Sequence, residues 1–576
     1  MRIKKLSLSN FRSFGSEQVI DFAPITLLFG PNSVGKSSVL MAIFYIQQIL
    51  EKGHCDPVRI DALGERDIGG FASLVNGKDL KKSITLKLEC EVGNTIGKEY
   101  ETFADWVPGY LDKLDMPNVA DDTETFAIEL EVAWSFLMNK AYVKRYTVAL
   151  NGIFAGQIEA DKGLKQAAIT ALNFTHPLLF PSNHEDWVIR SFEDGTSVHP
   201  SQLSEEQKAS GDYLEEASGW HSAFHFEIDT STPFVEGSVN IENIEHECKA
   251  ISVKTFYGAV PPHGHILETN IVEPLRSVEN TREGDEYLNK LVCHRVLTQI
   301  FVSPLDKVLE MLRKSVCIGP LRTIPGSSFV PNPHPVQSSW IDGTAAWDLL
   351  HRCNAELNEP VNRWLSGKNG FDSGYALASV VKKTYVEVKS DKSHDLDQMK
   401  EQLNNSIKSG KPDSDFDDME FSEAALLYDQ KKCITLAPNQ VGCGISQIIP
   451  VVTAAHYVTD GLVAIEQPEL HIHPAFQVEV GDLFTQLEVD PSRRPTFLIE
   501  THSEHLMLRI LRRIRETTDK ELRNSLQEVK PSDIAVIYLE APDEEVVVRR
   551  IEIDEDGEFI QRWPKGFFGE RRRELM

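Results

Sequence analysis

The stretch Gly30-Pro31-Asn32-Ser33-Val34-Gly35-Lys36-Ser37 matches the phosphate-binding pattern GxxxxGK[ST] at every position. The apolar run from Pro24 to Phe29 before it predicts a buried strand, and the run from Ser37 to Phe44 after it predicts a helix. In such a strand-loop-helix unit, backbone N–H groups and the helix dipole hold phosphates, the lysine reaches the β- and γ-phosphates, and the serine binds Mg²⁺. The pattern therefore predicts a nucleoside triphosphate site; the alternative is a chance match in a glycine-containing turn.

The composition of the chain is that of a globular protein. Its 576 residues indicate roughly two to four domains. Hydrophobic residues make up 41% and charged residues 25%, and no apolar run approaches the ~20 residues of a membrane helix. The N-terminus lacks the features of a secretory signal, so we expect a soluble, cytoplasmic protein with no membrane partner. The eight cysteines include no CxxC pair, which argues against a zinc ribbon, a zinc hook or a disulfide framework.

The formal net charge of -28 disfavours DNA binding over a broad surface. Contact with nucleic acid would have to come through a partner or through a local basic patch. One arginine-rich stretch contains Arg509, Arg512, Arg513 and Arg515. We favour a solvated helix face for this cluster over a DNA-binding patch.

Periodicity and composition divide the chain into four segments. Residues 1–92 resemble half of a nucleotide-binding domain, with a strand predicted over Ile3 to Phe14 and another over Ser83 to Val92. Residues 93–260 are predicted to be an inserted β-rich region with a mobile polar excursion at 181–220. Residues 261–430 are predicted to be a helical arm or lid, and residues 431–576 the second part of the nucleotide-binding domain, with strands at 534–539 and 546–551.

Within the predicted arm, helical spacing is clearest from Leu288 to Leu312 and from Ala345 to Leu365. The stretch from Asp391 to Asp418 is polar and acidic, which is typical of a flexible loop. There are no sustained heptads, so we expect no long coiled coil in this chain.

A second group of motifs begins with a glycine-rich turn, Asn439 to Gln447, which opens an apolar helix from Ile448 to Tyr457. Taken alone, a turn followed by an N-terminal serine cap explains this segment structurally. Two apolar strands follow, one ending in Ile465-Glu466-Gln467-Pro468-Glu469 and the other in Glu500-Thr501-His502-Ser503. A carboxylate at the end of a buried parallel strand beside a phosphate loop can hold Mg²⁺, a second acid can orient water, and a histidine can contact the γ-phosphate. A zinc site at His471 and His473 is the less favoured alternative.

Taken in order, the phosphate loop, the GxGxSQ turn, IEQPELHIHP and ETHSEH resemble the ATP-binding heads of the ABC, SMC and RecF-type superfamily. Within it the sequence is most similar to ATPases of the overcoming-lysogenization-defect (OLD) group and their relatives in anti-phage systems, including the Septu ATPase. The opening Leu6 to Phe14 also looks like the first strand of that group. The resemblance covers roughly residues 1–90 and 430–576. It implies an α/β fold in which an ABC-type P-loop ATPase head is split by a β-rich insertion and a helical arm.

The resemblance also implies roles for single residues. ATP and Mg²⁺ would be bound between two subunits, so it implies a homodimer or a higher homo-oligomer. Ser37 and Glu466 would hold the metal, Glu466 in the Walker B position; Ser446 would act across the dimer, and His502 would be the switch histidine. The predicted nucleotide contacts are Gly30, Pro31, Asn32, Ser33, Val34, Gly35, Lys36, Ser37, Ser38, Gly444, Ser446 and Gln447, and the predicted catalytic residues are Glu466, Gln467, Glu469 and His502.

Two departures from the family pattern affect the predicted function. Gln467 stands where many members have a glutamate that polarises the attacking water, and an amide is a poor proton acceptor. We therefore expect slow ATP hydrolysis, with Glu469 as a substitute base. OLD nucleases continue into a Toprim domain, but residues 503–576 are too few for one. We instead expect Trp563, Phe567 and Phe568 to pack the last strand onto the head, the alternative being that this aromatic and basic ending docks a partner or DNA.

Three functions are compatible with these motifs. The first is an ATPase that dimerises on ATP and regulates a separate effector, a nuclease or a toxin, in anti-phage defence. The second is an ATP-bound sensor or scaffold that sequesters a toxin partner without meaningful turnover. The third is a RecF-like DNA repair ATPase, for which the charge of -28 is unfavourable.

Overall fold

The computed structural model describes residues 1–92, 96–100, 119–173, 176–178, 189–190, 197–198, 251–255, 258–269, 294–351, 355–383, 421–487, 494–523, 525–542 and 545–563. Three predictions from the sequence fall mainly or wholly outside these residues. They are the excursion at 181–220, the loop from Asp391 to Asp418, and the packing of Phe567 and Phe568.

A six-stranded sheet forms the centre of the molecule, with the strand order β12-β16-β17-β3-β18-β19. The first five strands are parallel and the edge strand β19 is antiparallel. Strands β3, β16 and β17 are each five residues long and buried at every position. Continuous burial of this kind requires cover on both faces of the sheet, which is typical of parallel α/β sheets. The strands are β3 (Ile25–Phe29), β12 (Val316–Ile318), β16 (Leu462–Glu466), β17 (Thr496–Glu500), β18 (Ile534–Glu540) and β19 (Val547–Ile551).

An antiparallel sheet of eight strands packs beside the central sheet, in the order β11-β8-β7-β6-β5-β4-β1-β2. Its strands alternate in burial, as in β4, because only one face is packed on the core. The strands are β1 (Arg2–Ser9), β2 (Gln18–Asp21), β4 (Ile84–Glu91), β5 (Thr125–Ser135), β6 (Lys140–Leu150), β7 (Ile153–Ala160), β8 (Ala167–Leu172) and β11 (Ile251–Ser252). The sheet runs without a break from β4 into β5, so the predicted β-rich region continues the N-terminal sheet.

The remaining elements are two small sheets and the helices. Strands β9 (Ile189–Arg190) and β10 (Ser197–Val198) form a pair, and β13 (Tyr375–Lys383), β14 (Phe421–Asp429) and β15 (Ile434–Leu436) form a meander. The helices are α1 (Lys36–Lys52), α2 (Phe71–Leu74), α3 (Val119–Asp122), α4 (Ser303–Lys314), α5 (Thr344–His351), α6 (Ala355–Ser366), α7 (Cys443–Tyr457), α8 (Pro474–Thr485) and α9 (Glu504–Thr518). Residues 294–301 are also helical. Within these described ranges, no helix combines the length and the apolar character needed to cross a membrane.

Two hydrophobic cores cover the two faces of the central sheet. Successive side chains of a strand point to opposite faces, so Leu28 joins one core and Leu27 the other. Helices α1 and α4 and the antiparallel sheet belong to the first core, and helices α5, α7, α8 and α9 to the second. This arrangement leaves the carboxyl ends of the parallel strands at one common edge, where the candidate site lies.

The structure corrects several predicted element bounds. Strand β1 ends at Ser9 rather than at Phe14, because Asn10 and Arg12 adopt left-handed backbone conformations (φ 53° and 51°) that end the strand. The predicted helix from Ala345 to Leu365 is two helices, α5 and α6. Residues 261–430 are not purely helical, since they supply β12 to the central sheet and β13 and β14 to the meander.

The C-terminal part of the described chain completes the central sheet. Its Trp563 packs onto the head, as the sequence predicted. Strand β18 pairs with β3 along its length. Trp563 then packs edge-on against Phe29, with 5.2 Å between ring centroids, and against Tyr538 at 5.8 Å and Phe559 at 5.0 Å. Phe29 is the last residue of the strand that enters the phosphate loop, so this aromatic cluster supports the loop from one face of the sheet.

Replacing Trp563 by alanine is expected to lower the free energy of unfolding by about 2 to 3 kcal/mol, because three aromatic contacts are lost. The control is Ile560→Ala, a nearby side chain that is 61% exposed. Urea unfolding followed by circular dichroism measures both variants. Equal midpoints for the two variants would contradict a packing role for Trp563.

Candidate functional site

The phosphate loop connects β3 to α1, as predicted. Gly30, Ser33 and Gly35 have positive φ angles of 143°, 63° and 116°. A side chain at Gly30 would place its Cβ 2.3 Å from the carbonyl oxygen of Leu539, and one at Gly35 would come within 2.4 Å of Ser13 Oγ. Both glycines are therefore required by space as well as by backbone conformation. Pro31, Asn32 and Ser33 are exposed at the turn, and Val34 is buried.

Lys36 is buried in the first turn of α1, with 4% of its surface exposed. Its ammonium group donates to the carbonyl oxygens of Gly30 (3.0 Å) and Pro31 (2.8 Å), so it lies across the mouth of its own loop. Burial lowers the pKa of Lys36, and the carboxylates of Glu500 and Glu469 oppose this shift. The loop thus holds a positive charge at the position where the pattern predicts the phosphates.

Ser37 contacts a carboxylate that the site predictions did not include. Its hydroxyl donates to Glu500 Oε2 at 2.9 Å, and the other oxygen, Oε1, lies 3.8 Å from Lys36 Nζ. Glu500 is the last residue of β17 and is 6% exposed. Burial raises the pKa of Glu500, while Ser37 and Lys36 oppose the shift. Ser38, also predicted to contact nucleotide, is buried in the same helical turn.

Glu466 ends β16 at the same level as Glu500, since the two residues are register partners. Both of its oxygens accept from Arg66, at 2.7 Å from Nη1 and 3.2 Å from Nη2. Burial would lower the pKa of Arg66, but the hydrogen bond and charge of Glu466 raise it overall. Glu466 is thus placed at the predicted edge but is held by a bidentate ion pair that the sequence did not indicate.

Gln467 and Glu469 form the turn after β16. Gln467 has a left-handed backbone (φ 48°), and its N–H donates to the carbonyl oxygen of Glu500 (2.7 Å). Glu469 accepts from the Thr501 hydroxyl (2.9 Å) and from the His502 backbone N–H (2.6 Å), which ties the two strand ends together. Burial raises the pKa of Glu469 and lowers that of His502. The structure therefore brings these predicted residues within one connected network.

Arg322 donates to the backbone of this network and is another residue that the site predictions missed. It follows β12, is 4% exposed, and donates to the carbonyl oxygens of Glu466 (3.0 Å) and Gln467 (3.1 Å) through Nη2. The Gln447 side chain accepts from the Arg322 N–H and donates to its carbonyl oxygen at 2.6 Å. Burial lowers the pKa of Arg322 to about 10. Arg322 thus links helix α7 to the turn after β16.

The glycine-rich turn lacks the N-terminal serine cap that the structural alternative predicted. Helix α7 begins at Cys443 with Gly442 as its N-cap, so no serine caps it. The Ser446 side chain is fully buried and its hydroxyl donates to the carbonyl oxygen of Pro438 (2.6 Å) within its own chain. Gly444 lies against the carbonyl oxygen of His471, where a Cβ would approach to 2.9 Å. The exposed residues at the start of the helix are Gly442 and Cys443.

The zinc alternative at His471 and His473 is affected by this geometry. His473 is the N-cap of α8 and accepts from the Ala475 N–H, which explains its position without a metal. Among the described residues, no three His, Cys, Asp or Glu side chains form a group able to hold a metal ion, which disfavours the zinc interpretation.

The arginine cluster of α9 is engaged within the fold. Arg509 and Arg513 both pair with the buried Asp482, and Arg513 also pairs with Glu516. Arg512 pairs with Glu516 and Arg515 with Glu558. These ion pairs support a structural helix face over a DNA-binding patch.

The residues at this edge fit a nucleoside triphosphate with Mg²⁺. The space around Gly30 and Gly35 admits no side chain, so the backbone of the loop is uncovered at these positions. Lys36 supplies a positive charge beside it. The hydroxyl of Ser37 and the carboxylates beside it are hard oxygen donors, which Mg²⁺ prefers. Arg66 and Arg322 carry no sequence signal, because they lie in loops. Glu500 does carry one, since it ends an apolar strand as Glu466 does.

Three family models match parts of the chain. One described as an AAA ATPase domain matches residues 337–507, one described as an AAA domain matches residues 5–48, and one described as a protein of unknown function (DUF3696) matches residues 529–576. The first covers β16, β17 and the turns between them, and the second covers the phosphate loop. The third covers β18, β19 and Trp563, which complete the same central sheet.

Among curated proteins, two DNA replication and repair proteins RecF match short segments. The one from Desulforamulus reducens is 49% identical over 45 residues, which are 8% of this chain and 12% of that protein. The one from Chloroflexus aggregans is 38% identical over 77 residues, which are 13% of this chain and 20% of that protein. The matches therefore span a small part of each relative.

Two solved structures of similar extent are heads of SMC proteins. The SMC head domain from Thermotoga maritima has 11% identity and a TM-score of 0.33, covering 96% of this chain and 100% of that one. An SMC head bound to the C-terminal winged-helix domain of ScpA has 9% identity and a TM-score of 0.34, covering 96% and 99%. The fold assignment rests on the strand order, the phosphate loop and the family models: the chain has the mixed α/β fold of an ABC-type P-loop ATPase head.

Replacing Arg322 by glutamine is expected to lower the free energy of unfolding by about 3 kcal/mol, because the carbonyl oxygens of Gln447 in α7 (3.3 Å from Nη1), Glu466 and Gln467 lose a charged donor. The matched control is Arg512→Gln, whose side chain is 62% exposed and whose loss is expected to cost below about 0.5 kcal/mol. Urea unfolding of both variants tests this. A shift for Arg322→Gln no larger than the control would show that Arg322 does not hold the edge together.

Proposed function

We propose that this chain, a P-loop ATPase of the ABC/SMC/RecF type, binds ATP with Mg²⁺ and hydrolyses it slowly. The observation that carries the proposal is the buried Lys36, which lies in a phosphate loop beside carboxylates from the ends of two neighbouring parallel strands. Ligands of open α/β sheets bind outside the carboxyl ends of the strands, and this edge carries all of the motifs. When bound, Mg²⁺ would neutralise phosphate charge and orient the triphosphate.

Slow hydrolysis follows from the side chains after β16. Gln467 can orient a water molecule but is a poor proton acceptor. Glu469, which the sequence indicated as a substitute base, has one oxygen bonded to Thr501 and the other to His502. These bonds favour a role for Glu469 in positioning His502, which would contact the γ-phosphate. The site thus supports ATP binding better than rapid turnover.

We further propose that two copies of the chain close around ATP. The support is geometric: Gly442 and Cys443 are exposed at the start of α7, where backbone N–H groups and the helix dipole can face an anion. The turn containing Gly444 packs on the backbone of His471, so both segments would face a second copy together. Because Ser446 is buried, this trans contact would use the start of α7 rather than the Ser446 hydroxyl.

Regulation of a separate effector, a nuclease or a toxin, in anti-phage defence is our proposal for the biological role. It rests on the resemblance of the phosphate loop, IEQPELHIHP and ETHSEH to OLD-like and Septu ATPases. An ATP-bound sensor that sequesters a toxin would use the same site without turnover. ATP turnover that changes when a co-purified protein is added would favour the regulating ATPase.

A RecF-like role in DNA repair is a second candidate, favoured by the two short RecF matches. It predicts that DNA stimulates ATP hydrolysis by the chain alone. The net charge of -28 and the ion-paired arginines of α9 speak against such direct binding. Measuring turnover with and without DNA separates this candidate from the first.

Replacing Lys36 by alanine is expected to weaken ATP binding by about 100-fold or more and to abolish ATP-induced dimerisation, because the charged donor to the phosphates is lost. Fluorescent-nucleotide titration and analytical ultracentrifugation measure the two effects. The matched control is Lys52→Ala at the other end of α1, where the lysine pairs with Asp61 at the surface. Tight ATP binding by Lys36→Ala would contradict the assignment of the site.

Replacing Gln467 by glutamate is expected to raise kcat by about 10-fold or more, because a carboxylate can accept the proton of the attacking water. Steady-state phosphate release measures this, with Glu469→Gln tested in parallel. Rapid hydrolysis by the wild-type chain that needs neither Glu469 nor a partner would rule out slow turnover.

A further inference from the structure

Two strand-end carboxylates face the candidate site, and they are not equivalent. Strand β17 lies between β16 and β3 in the central sheet. Glu500 is therefore one strand nearer to the phosphate loop than Glu466, with Leu28 of β3 as its register partner on one side and Glu466 on the other. The pattern of family motifs assigns the metal to Glu466, whereas the sheet order places Glu500 next to the loop.

The two carboxylates also have different partners. Both oxygens of Glu466 accept from Arg66, and a carboxylate in a bidentate arginine pair has its strongest acceptor positions occupied. Glu500 instead contacts the phosphate loop itself. Its Oε2 accepts from Ser37 at 2.9 Å and its Oε1 lies 3.8 Å from Lys36. The residue whose hydroxyl the loop pattern assigns to Mg²⁺ is thus bonded directly to Glu500.

The chemistry of magnesium agrees with a single carboxylate at this position. Mg²⁺ in nucleotide sites is held by one or two carboxylates together with substrate phosphates and water, not by a cage of protein ligands. Among the described residues, no group of three acidic, histidine or cysteine side chains forms such a cage. A buried carboxylate, 6% exposed, beside a serine hydroxyl supplies two hard oxygen donors on the loop side of the edge.

We propose that Glu500 is the metal-side carboxylate of this site, holding Mg²⁺ together with Ser37, while Glu466 serves as the anchor of Arg66. This inference rests on the proposed function, because it assigns a ligand within the ATP site. It differs from the assignment made from the sequence, in which Glu466 takes that place. It gives Arg66 a role as well, since the ion pair with Glu466 holds the guanidinium group at the border of the same edge.

The test is Glu500→Gln, which keeps the shape of the side chain and its acceptor for Ser37 but removes the charge. A fluorescent ATP analogue is titrated in EDTA and again in Mg²⁺, and Mn²⁺ binding to the nucleotide complex is measured by electron paramagnetic resonance. We expect nucleotide affinity in EDTA to change by less than about threefold, and Mn²⁺ affinity to fall by about 10-fold or more, at least as much as when only the partners of metal ligands are altered.

Two variants serve as controls. Glu466→Gln is expected to lower Mn²⁺ affinity less than Glu500→Gln does, because in this proposal Glu466 pairs with Arg66 and does not bind the metal. Glu479→Gln removes a carboxylate paired with Arg509 away from the site and is expected to change neither measurement. If Glu500→Gln does not fold, Glu500→Asp retains the charge and is expected to show a partial loss of Mn²⁺ affinity.

Wild-type Mn²⁺ affinity in Glu500→Gln, or a loss confined to Glu466→Gln, would overturn the assignment of Glu500. Failure of the proposed function has a different signature: Lys36→Ala would then bind nucleotide as well as wild type. The two failures are therefore distinguishable in the same set of titrations.

Discussion

The candidate site depends on the parallel alignment of three short apolar strands. β3, β16 and β17 are buried at every position, so they are stable only where both faces of the sheet are covered. Parallel pairing then brings their carboxyl ends to one edge. Three of the predicted site segments follow directly after these ends: the phosphate loop, the turn with Gln467, and the segment with His502. Segments distant in sequence therefore meet at this edge.

The edge formed by the carboxyl ends of these strands carries equal numbers of basic and acidic side chains. Lys36, Arg66 and Arg322 lie among Glu466, Glu469 and Glu500, and each of these cations contacts a carboxylate or backbone carbonyl oxygens. Buried charges are tolerated only when they are paired or hydrogen-bonded, which explains why removing one partner is costly. A triphosphate with its metal would enter a network of charged groups that are already ion-paired or hydrogen-bonded.

Much of this site could be predicted from the sequence, since the loop pattern and the strand ends are local features. The phosphate loop, β3, α1, β16 and β17 lie where the patterns placed them. Ser446 shows the limit. The family resemblance implied that it acts across a dimer, but α7 begins at Cys443, and the Ser446 hydroxyl donates to the carbonyl oxygen of Pro438 in its own chain. A sequence motif indicates which residues lie near a site, whereas the position of a residue within the helical turn decides whether its side chain points toward the site or into the core.

The sequence by itself determined the phosphate loop between a strand and a helix and the set of acidic strand ends, because these depend on local spacing and on apolar runs. The ABC-type head was implied by the resemblance of these motifs to a known family. Only the tertiary structure decided which carboxylate meets the loop. β17 lies between β16 and β3, so Glu500 contacts Ser37 while Glu466 pairs with Arg66. Strand order arises from packing between distant segments. For the same reason Arg66 and Arg322, which lie in loops without any pattern, became visible as site residues only in the folded chain.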